Sequence, residues 1–219
     1  MKNCATKIIS NNGKSRSSEV QVVEEHNLDL YVNGQLKKTF ICINEDLDEI
    51  VIGWLIGKAL INNYSDIKNI NFKDSEVFVE TNQKLSVKKQ KDELKYKDVW
   101  IFDLVNDFHK GTSIHKKTSG THCAILSVNG KITQVREDIG RHNAVDKIIG
   151  YIYKNNIDVN KCIIFTSGRV SSDLSRKIVN AQIPVFVSKS VTSYQAVEIA
   201  KGNYHLICKA WPDSFEVYC

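Results

Sequence analysis

The second half of the chain contains the pattern that most constrains the fold, an alternation of short apolar runs with longer amphipathic stretches. Apolar runs at 162–165, 185–187 and 205–209 alternate with helical patterns at 172–181 and 193–201. Such an alternation is typical of parallel strands joined by right-handed helical crossovers. The sequence therefore predicts an α/β fold for this half.

Two Asn-Gly pairs, Asn33-Gly34 and Asn129-Gly130, each separate two strand patterns. An Asn-Gly pair favours a tight hairpin because both residues adopt positive φ at little cost. Further strand patterns follow between residues 67 and 79. The first half is therefore predicted to be α+β.

Two helices are predicted in the first half. One begins at Glu45 with Asn44 as its N-cap. Its Gly53 and Gly57 are expected to allow close packing on a neighbouring helix, because glycine lacks a side chain. The other spans 99–108 and presents an apolar side at helical spacing.

Composition divides the chain into three parts. Residues 1–17 are polar and turn-prone and are predicted to form a flexible tail. Residues 18–110 are predicted to form an N-terminal α+β domain, from which the polar, lysine-rich residues 82–95 are an excursion. Residues 111–219 are predicted to form an α/β domain that holds the ligand site.

The net charge of +5 comes from scattered basic residues. The basic cluster at 84–97 is interrupted by Asp92 and Glu93, which favours a solvated surface over a nucleic-acid interface. The longest apolar run, 50–61, contains Lys58 and is too short to span a bilayer. The six cysteines form no C-x-x-C motif, and no export signal is evident. We therefore expect a cytoplasmic protein that contacts neither nucleic acid nor membrane and has no disulfide framework or closed zinc site.

In open α/β sheets, ligands bind beyond the carboxyl ends of the strands. The segments 166–172 and 188–193 follow two predicted parallel strands, are rich in hydroxyl groups and each contain one cation. Backbone N–H groups at a helix N-terminus favour anions, although Ser172 and Ser193 are equally suited to capping their helices. The candidate ligand residues in these loops are Ser167, Gly168, Arg169, Ser188, Ser190 and Thr192.

A dense polar stretch, 137–147, leads into the helix that precedes the first parallel strand. At about 100° per residue, Arg141 and His142 fall beside the apolar side of that helix and should point over the sheet edge, toward the two hydroxyl loops. Asn143 and Lys147 project the opposite way, and Lys147 is expected at the surface or behind the site.

Arg141 suits a pair of phosphate oxygens, because its guanidinium donates two parallel hydrogen bonds. Glu137 or Asp138 is expected to orient it. Together with His142 and the two hydroxyl loops, these residues predict a site for a phosphate-bearing ligand.

His122 and Cys123 form the remaining candidate pair. A histidine beside a cysteine can lower the thiol pKa, but neighbours in a strand point to opposite faces of the sheet. Cys123 is therefore either a small core residue or a reactive thiol. A zinc deaminase site is excluded, because the chain has neither H-x-E nor P-C-x-x-C.

With these residues in view, the chain resembles the formate dehydrogenase accessory sulfurtransferases, the FdhD family. The resemblance runs from about residue 24 to residue 218 and is strongest at 137–147, which is close to the family signature. Supporting matches lie at 121–122, 166–171, 183–190, 192–198 and 215–218.

The resemblance implies a three-layer larger domain like that of cytidine deaminases, without the zinc, and a homodimer. It implies that the protein receives persulfide sulfur from a cysteine desulfurase and passes it to bis-molybdopterin guanine dinucleotide, the cofactor of formate dehydrogenase. GDP is a partial analogue of that cofactor. Family members bind it partly through a segment that here departs from their glycine and arginine pattern and consists of Lys209, Ala210, Trp211, Pro212, Asp213 and Ser214.

The chain also departs from the family at the sulfur carrier. The family's C-G-x-C-G loop aligns near residues 80–83, where this chain has no cysteine. A persulfide relay needs an exposed, nucleophilic thiolate. Either another thiol has taken over, with Cys123 beside His122 the first candidate, or the protein is a cofactor-binding or guanine-nucleotide-binding chaperone that moves no sulfur.

Overall fold

The computed structural model describes residues 1–82, 96–108 and 112–218. The strands are β1 (Lys2–Ile9), β2 (Ser15–Val22), β3 (His26–Val32), β4 (Gln35–Cys42), β5 (Ile67–Lys73), β6 (Glu76–Thr81), β7 (His122–Val128), β8 (Lys131–Asp138), β9 (Cys162–Thr166), β10 (Val185–Ser188), β11 (His205–Cys208) and β12 (Glu216–Tyr218). The α-helices are α1 (Leu47–Gly57), α2 (Asp98–Asp107), α3 (Ser113–Thr118), α4 (Arg141–Lys154), α5 (Ser172–Asn180) and α6 (Tyr194–Ala200).

A six-stranded sheet in the order β12-β11-β10-β9-β7-β8 forms the centre of the second half. Strands β9, β10 and β11 are parallel, as predicted from the alternating pattern. The sheet is nevertheless mixed, because β7, β8 and β12 each run antiparallel to a neighbour. The mixed α/β prediction is confirmed.

Helices cover both faces of this central sheet, because alternate side chains of each strand point to opposite sides. On one face, Phe165 packs in the same apolar cluster as Leu104 of α2. On the other face, Ile164 packs in a second cluster with Ile148 of α4 and with residues of α5 and α6. This part of the molecule therefore has three layers, helix, sheet and helix.

Helix α1 packs directly on α4 through two glycines. A Cβ atom on Gly53 would lie 1.8 Å from the backbone oxygen of Asp146, and one on Gly150 would lie 1.9 Å from the backbone oxygen of Glu49. Neither helix can approach so closely with any other residue at these positions. The predicted packing role of Gly53 is confirmed.

The first half forms a four-stranded sheet in the order β4-β3-β6-β5. Asn33 and Gly34, between β3 and β4, have φ values of 49° and 79°. Asn129 and Gly130, between β7 and β8, have values of 52° and 80°. Both Asn-Gly hairpins were predicted and are confirmed.

Residues 1–17, predicted as a tail, instead belong to an antiparallel hairpin formed by β1 and β2. The turn contains a third Asn-Gly pair, Asn12-Gly13, and Gly13 has a φ of 79°. The same Asn-Gly signal predicted the hairpins at Asn33-Gly34 and Asn129-Gly130, but here the segment was interpreted from its polar composition alone. The segment therefore has regular secondary structure, which was not predicted for it.

The predicted start of the first helix was wrong. Asn44 caps no helix, and α1 begins at Leu47 after Asp46, whose φ is 54°. Asp48 and Glu49 occupy the first turn, where negative charge is favoured by the helix dipole.

Packing crosses the predicted boundary at residues 110 and 111. Helix α2 belongs to the predicted first domain but packs on the central sheet of the second. Helix α1 likewise shares one apolar cluster with α4 and α5. The predicted excursion at 82–95 lies almost wholly outside the described residues. Within the parts that are described, no helix is long and apolar enough to cross a membrane.

Candidate functional site

A cavity of about 450 Å³ opens at one edge of the central sheet. At this edge the carboxyl ends of β8, β9, β10 and β11 meet the start of β7 and the N-terminus of α4. The cavity is lined by Phe108, His115, Ser119, Gly120, Thr121, His122, Ile139, Ser167 and Lys189. Two of the predicted site residues, His122 and Ser167, therefore lie in one cavity.

His122 and Ser167 are in contact inside this cavity. The Ser167 hydroxyl lies 3.4 Å from His122 Nδ1 and accepts a hydrogen bond of 3.1 Å from the backbone N–H of Cys123. The backbone N–H of Ser167 in turn donates to the carbonyl of Cys123, at 3.1 Å. These bonds tie the first hydroxyl loop to the start of β7 and fix the Ser167 side chain.

The cavity and its rim favour negative charge. Burial is the main cause that lowers the pKa of His122, and the nearby Arg141, His115 and Arg169 lower it further. No carboxylate is among the described residues that line the cavity. An anion that enters the cavity meets cations and hydroxyl groups.

Arg141 packs against the first hydroxyl loop, as predicted. A Cβ atom on Gly168 would lie 2.7 Å from Arg141 Cβ and 3.1 Å from its Cδ. Gly168 is therefore needed for the approach of Arg141. The Nε atom of Arg141 is buried and has no hydrogen-bond partner among the described residues.

The acids expected to orient Arg141 are used elsewhere. The Glu137 carboxylate accepts hydrogen bonds from the backbone N–H groups of Ile114 and His115, at 2.9 and 2.7 Å. It also accepts one from the Thr121 hydroxyl at 3.1 Å. Glu137 thus holds the start of α3 beside the cavity. The prediction that Glu137 or Asp138 orients Arg141 was wrong.

Asp138 was predicted to contact the ligand but is fully buried beneath the site. Its carboxylate pairs with Lys147 at 2.8 Å and accepts a hydrogen bond from Asn143 Nδ2 at 2.8 Å. The backbone N–H groups of Ile43 and Gly140 fill its remaining positions. Lys147 is 0% exposed and lies behind the site, so the surface alternative is wrong. Asn143 points inward to Asp138 and to the carbonyl of Ile41, not away from the site as predicted.

His142 contacts the first hydroxyl loop but does not line the cavity. Its Nε2 lies 3.3 Å from the Ser171 hydroxyl and 3.9 Å from an Asp173 oxygen. Burial, and then the charges of Lys177 and Arg141, lower the pKa of His142 to about 4. His142 is therefore neutral at pH 7.

The second hydroxyl loop mainly supports the first. The Ser188 hydroxyl is buried, donates to the Gly168 carbonyl at 2.7 Å and accepts from the backbone N–H of Ser190 at 3.0 Å. The Thr192 hydroxyl lies 3.5 and 3.3 Å from the carbonyls of Val170 and Ser193. Ser188 is thus a structural residue, contrary to its predicted ligand role. The loop reaches the cavity through Lys189.

Helix capping explains part of the hydroxyl content of both loops. Ser171 caps α5 through the backbone N–H of Leu174, and Ser193 caps α6 through that of Ala196. The capping alternative is confirmed for Ser193, whereas Ser172 is the first residue of its helix and not the cap. Arg169 of the first hydroxyl loop is exposed, and its charge lies close enough to His122 to lower the pKa of that histidine.

The predicted C-terminal binding segment reaches the cavity indirectly. Trp211 is 47% exposed and its ring lies 5.0 Å from Lys189 Nζ, which also lies 4.9 Å from the Phe108 ring. Lys209 pairs with Glu216 at 2.7 Å, and Ala210 is buried in the core. The exposed remainder of the segment is Pro212, Asp213 and Ser214. The buried Ala210 side chain cannot contact a ligand, contrary to prediction.

Cys123 is not a usable sulfur carrier. It is 2% exposed and packs in the apolar cluster beneath α2. Burial, and then the charge of Glu137, raise the pKa of its thiol far above the usual range. A buried neutral thiol is a poor nucleophile, so the substitute-thiol prediction was wrong and the core alternative is correct.

The position at which the family resemblance places the sulfur-carrying loop has a structural role in this chain. Thr81 donates its backbone N–H to Asn33 Oδ1 at 3.0 Å and accepts a hydrogen bond from Asn33 Nδ2 at 3.2 Å. These bonds join the end of β6 to the β3–β4 hairpin. Gln83 lies outside the described residues.

Sequence reasoning missed several cavity residues that come from distant elements. His115 on α3 and Phe108 after α2 lie in or near the predicted domain boundary, where no ligand role was expected. Lys189 was visible as the cation of the second hydroxyl loop and could have been chosen on charge alone. His115 and Phe108 reach the cavity through packing between distant segments, which no local sequence pattern indicates.

Fold and site together define an α/β protein with a cationic, hydroxyl-lined cavity at the carboxyl edge of a mixed sheet. A model of the FdhD/NarQ family matches residues 23–98 and 76–219. The chain is 30% identical to Protein FdhD of Methanocaldococcus jannaschii, over 91% of this chain and 88% of the relative. The chain belongs to the FdhD/NarQ family.

Two further comparisons agree with this assignment. The chain is 29% identical to the Sulfur carrier protein FdhD of Bacillus licheniformis, over 94% of this chain and 91% of the relative. Its fold matches that of a protein from Desulfotalea psychrophila whose structure was solved as a formate dehydrogenase accessory protein. That match has a TM-score of 0.87 at 23% identity and covers 99% of this chain and 95% of the other.

Proposed function

We propose that this protein is an accessory protein of formate dehydrogenase maturation that binds bis-molybdopterin guanine dinucleotide through its phosphates. The observation that supports this proposal is the cavity beside His122 and Ser167. Arg141, Arg169 and Lys189 surround it with positive charge, and no described lining residue is acidic. Phosphate groups are the part of this cofactor that such a cavity suits.

The size and chemistry of the cavity fit one nucleotide end of the cofactor. Its volume of about 450 Å³ lies within the range of small-molecule sites, about 300–1,000 Å³. The Ser167 hydroxyl and the cations bind phosphate oxygens. One of these cations, Lys189, is held in place between the rings of Phe108 and Trp211. The cofactor is the cargo in this proposal, and the protein supplies charge and position.

Calorimetric titration with GDP tests this proposal. Replacing Arg141 with Ala keeps the Cβ atom that packs on Gly168 but removes the cation. A charged hydrogen bond is worth about 1.5–3 kcal/mol, so we expect GDP to bind about ten- to a hundredfold more weakly. Arg176→Ala removes an exposed arginine of α5 and serves as the matched control. Unchanged GDP affinity in Arg141→Ala contradicts the proposal.

A second candidate function, transfer of persulfide sulfur, is favoured by relatives that are named sulfur carrier proteins. In this reaction a thiolate attacks the outer sulfur of a desulfurase persulfide, a new S–S bond forms, and the desulfurase thiolate leaves. Of the cysteines in the described part of the chain, Cys4 is exposed and Cys42, Cys123, Cys162 and Cys208 are buried. Binding of the cofactor is thus better supported than transfer.

Mass spectrometry separates the two functions. The protein is incubated with a cysteine desulfurase and cysteine, and each cysteine is examined for a bound persulfide. A persulfide on Cys4 or Cys219 that is lost in the matching Ser variant supports transfer. If no cysteine gains sulfur, the transfer function is contradicted, and the GDP titration decides whether the protein is a binding chaperone. The homodimer and the deaminase-like description of the larger domain stay predictions of the family resemblance.

A further inference from the structure

His122 occupies an unusual position for a histidine in an anion site. The oxygen of Ser167 already accepts the backbone N–H of Cys123, so the Ser167 hydroxyl hydrogen is available to His122 Nδ1 at 3.4 Å. When Nδ1 accepts this hydrogen bond, the imidazole is neutral. The local geometry therefore suits an uncharged His122 in the free protein.

Basic groups from several elements face His122. Arg141 lies on α4, Arg169 follows β9 and His115 lies on α3, and all three lower the pKa of His122 after burial, the largest cause. Lys189, which follows β10, lines the same cavity.

Neither of the two nearby acids pairs with His122. Both lie on β8, and both are engaged elsewhere. The Glu137 carboxylate holds the start of α3 through Ile114 and His115. The Asp138 carboxylate is buried against Lys147. No counter-charge for a protonated imidazole is thus free within the described cavity, and the ligand itself has to supply it.

We propose that His122 selects ligands by charge, remaining neutral in the free protein and becoming protonated when a doubly charged anion, such as a terminal phosphate, fills the cavity. This inference rests on the proposed anion-binding function of the same cavity. An entering anion cancels the field of Arg141 and Arg169, and this favours the imidazolium, which then donates hydrogen bonds from both nitrogens. A doubly charged group favours protonation more than a singly charged one, and it is therefore bound preferentially as the pH falls.

Thermodynamic linkage gives the direction of the pH effect. The pKa of His122 is low in the free protein and higher in the complex. Between these two values one proton is taken up on binding, so affinity rises by up to about tenfold for each unit that the pH falls. Below the lower value the imidazole is already charged in the free protein, and His122 no longer makes affinity depend on pH.

Calorimetry with GDP between about pH 6.5 and 8 measures this effect, because the terminal phosphate of GDP is then mostly ionised. Titrations in buffers of different ionisation enthalpy report the number of protons taken up. We expect His122→Asn to abolish the uptake and flatten the pH profile. We expect His122→Lys, a permanent cation, to bind GDP with a flat profile and at least wild-type affinity near pH 8.

His205→Asn is the matched control, because His205 is the first residue of β11 and lies at the end of the parallel strands that is opposite the cavity. It should retain the wild-type profile. A His122→Asn variant that keeps the full pH slope and proton uptake overturns the inference and leaves GDP binding intact. Failure of GDP to bind at every pH instead contradicts the proposed function.

A second measurement tests His122 even if GDP does not bind. The imidazole of His122 is titrated by NMR in sulfate and in chloride at equal ionic strength, since sulfate stays doubly charged over this pH range. An upward shift of the His122 midpoint in sulfate, absent for His205, supports the inference. An unchanged His122 midpoint overturns it.

Discussion

At the scale of single residues, Asp138 accepts hydrogen bonds from Asn143 and from two backbone N–H groups and pairs with Lys147 in the protein interior. Removing water from two charges is costly, and the cost is recovered only if each keeps its partners. The pair therefore joins the end of β8, the first turns of α4 and, through Ile43, the loop that follows β4. It fixes the backbone from which Arg141 projects.

Lys147→Met removes one member of this pair and leaves a buried, unpaired carboxylate. We expect the free energy of unfolding to fall by about 3–5 kcal/mol, measured by urea denaturation. The double variant Asp138→Asn with Lys147→Met should recover part of this loss. Lys201→Met, which breaks an exposed pair with Glu198, should change stability by less than about 1 kcal/mol. A similarly small effect of Lys147→Met contradicts the structural role of the pair.

The polar stretch at 137–147 also shows where prediction from sequence ends. Helical geometry placed Arg141 and His142 correctly over the first hydroxyl loop, because angles around a helix depend only on spacing. It failed for Asn143 and Lys147, because spacing along the helix does not show that Asp138 at the end of β8 and the Ile41 carbonyl of β4 lie on their side of the helix. Polar character alone does not distinguish a ligand-binding residue from a buried ion pair.

At the scale of elements, the contact between α1 and α4 brings two backbones together at Gly53 and Gly150. The sequence predicted close packing from the spacing of Gly53 and Gly57. It did not reveal Gly150 as the reciprocal glycine, because the partner helix was unknown. Gly57 does not contact the backbone of α4; it faces the side chain of Lys177 on α5.

Gly150→Ala tests the helix contact. The added methyl group would lie 1.9 Å from the Glu49 carbonyl oxygen, so α1 and α4 must separate. We expect a loss of about 1–3 kcal/mol in the free energy of unfolding, the usual cost of overpacking. Gln195→Ala, at an exposed position of α6, should cost less than about 0.5 kcal/mol. A fully stable Gly150→Ala protein would show that the two helices are not in backbone contact.

At the scale of the whole molecule, the parallel strands β9, β10 and β11 were predictable because each has a local apolar signal followed by a helical one. The short strand β12, the antiparallel position of β7 and the coverage of the sheet by α2 were not predicted, since they depend on pairing and packing between distant segments. The cavity has the same origin: its lining comes from Phe108 after α2, from α3 and the segment that joins it to β7, from both hydroxyl loops and from Ile139 after β8. Only the hydroxyl loops and His122 could be found from the sequence.

The shared packing leads to a prediction about the boundary at residues 110 and 111. A fragment of residues 111–219 loses α1 and α2, which cover opposite sides of its core. We expect this fragment to show no cooperative thermal unfolding, whereas the full chain unfolds in a single transition. Circular dichroism measures both. A fragment that melts cooperatively near the midpoint of the full chain would establish two independent domains.

The account depends most directly on where a guanine nucleotide binds. Crystals of the protein soaked with GDP provide this measurement. We predict electron density for the terminal phosphate in the cavity, within hydrogen-bond distance of His122 and Ser167 and beside Arg141. Density for GDP at any other surface, with the cavity left vacant at saturating nucleotide, would contradict the assignment of this edge of the sheet as the cofactor site.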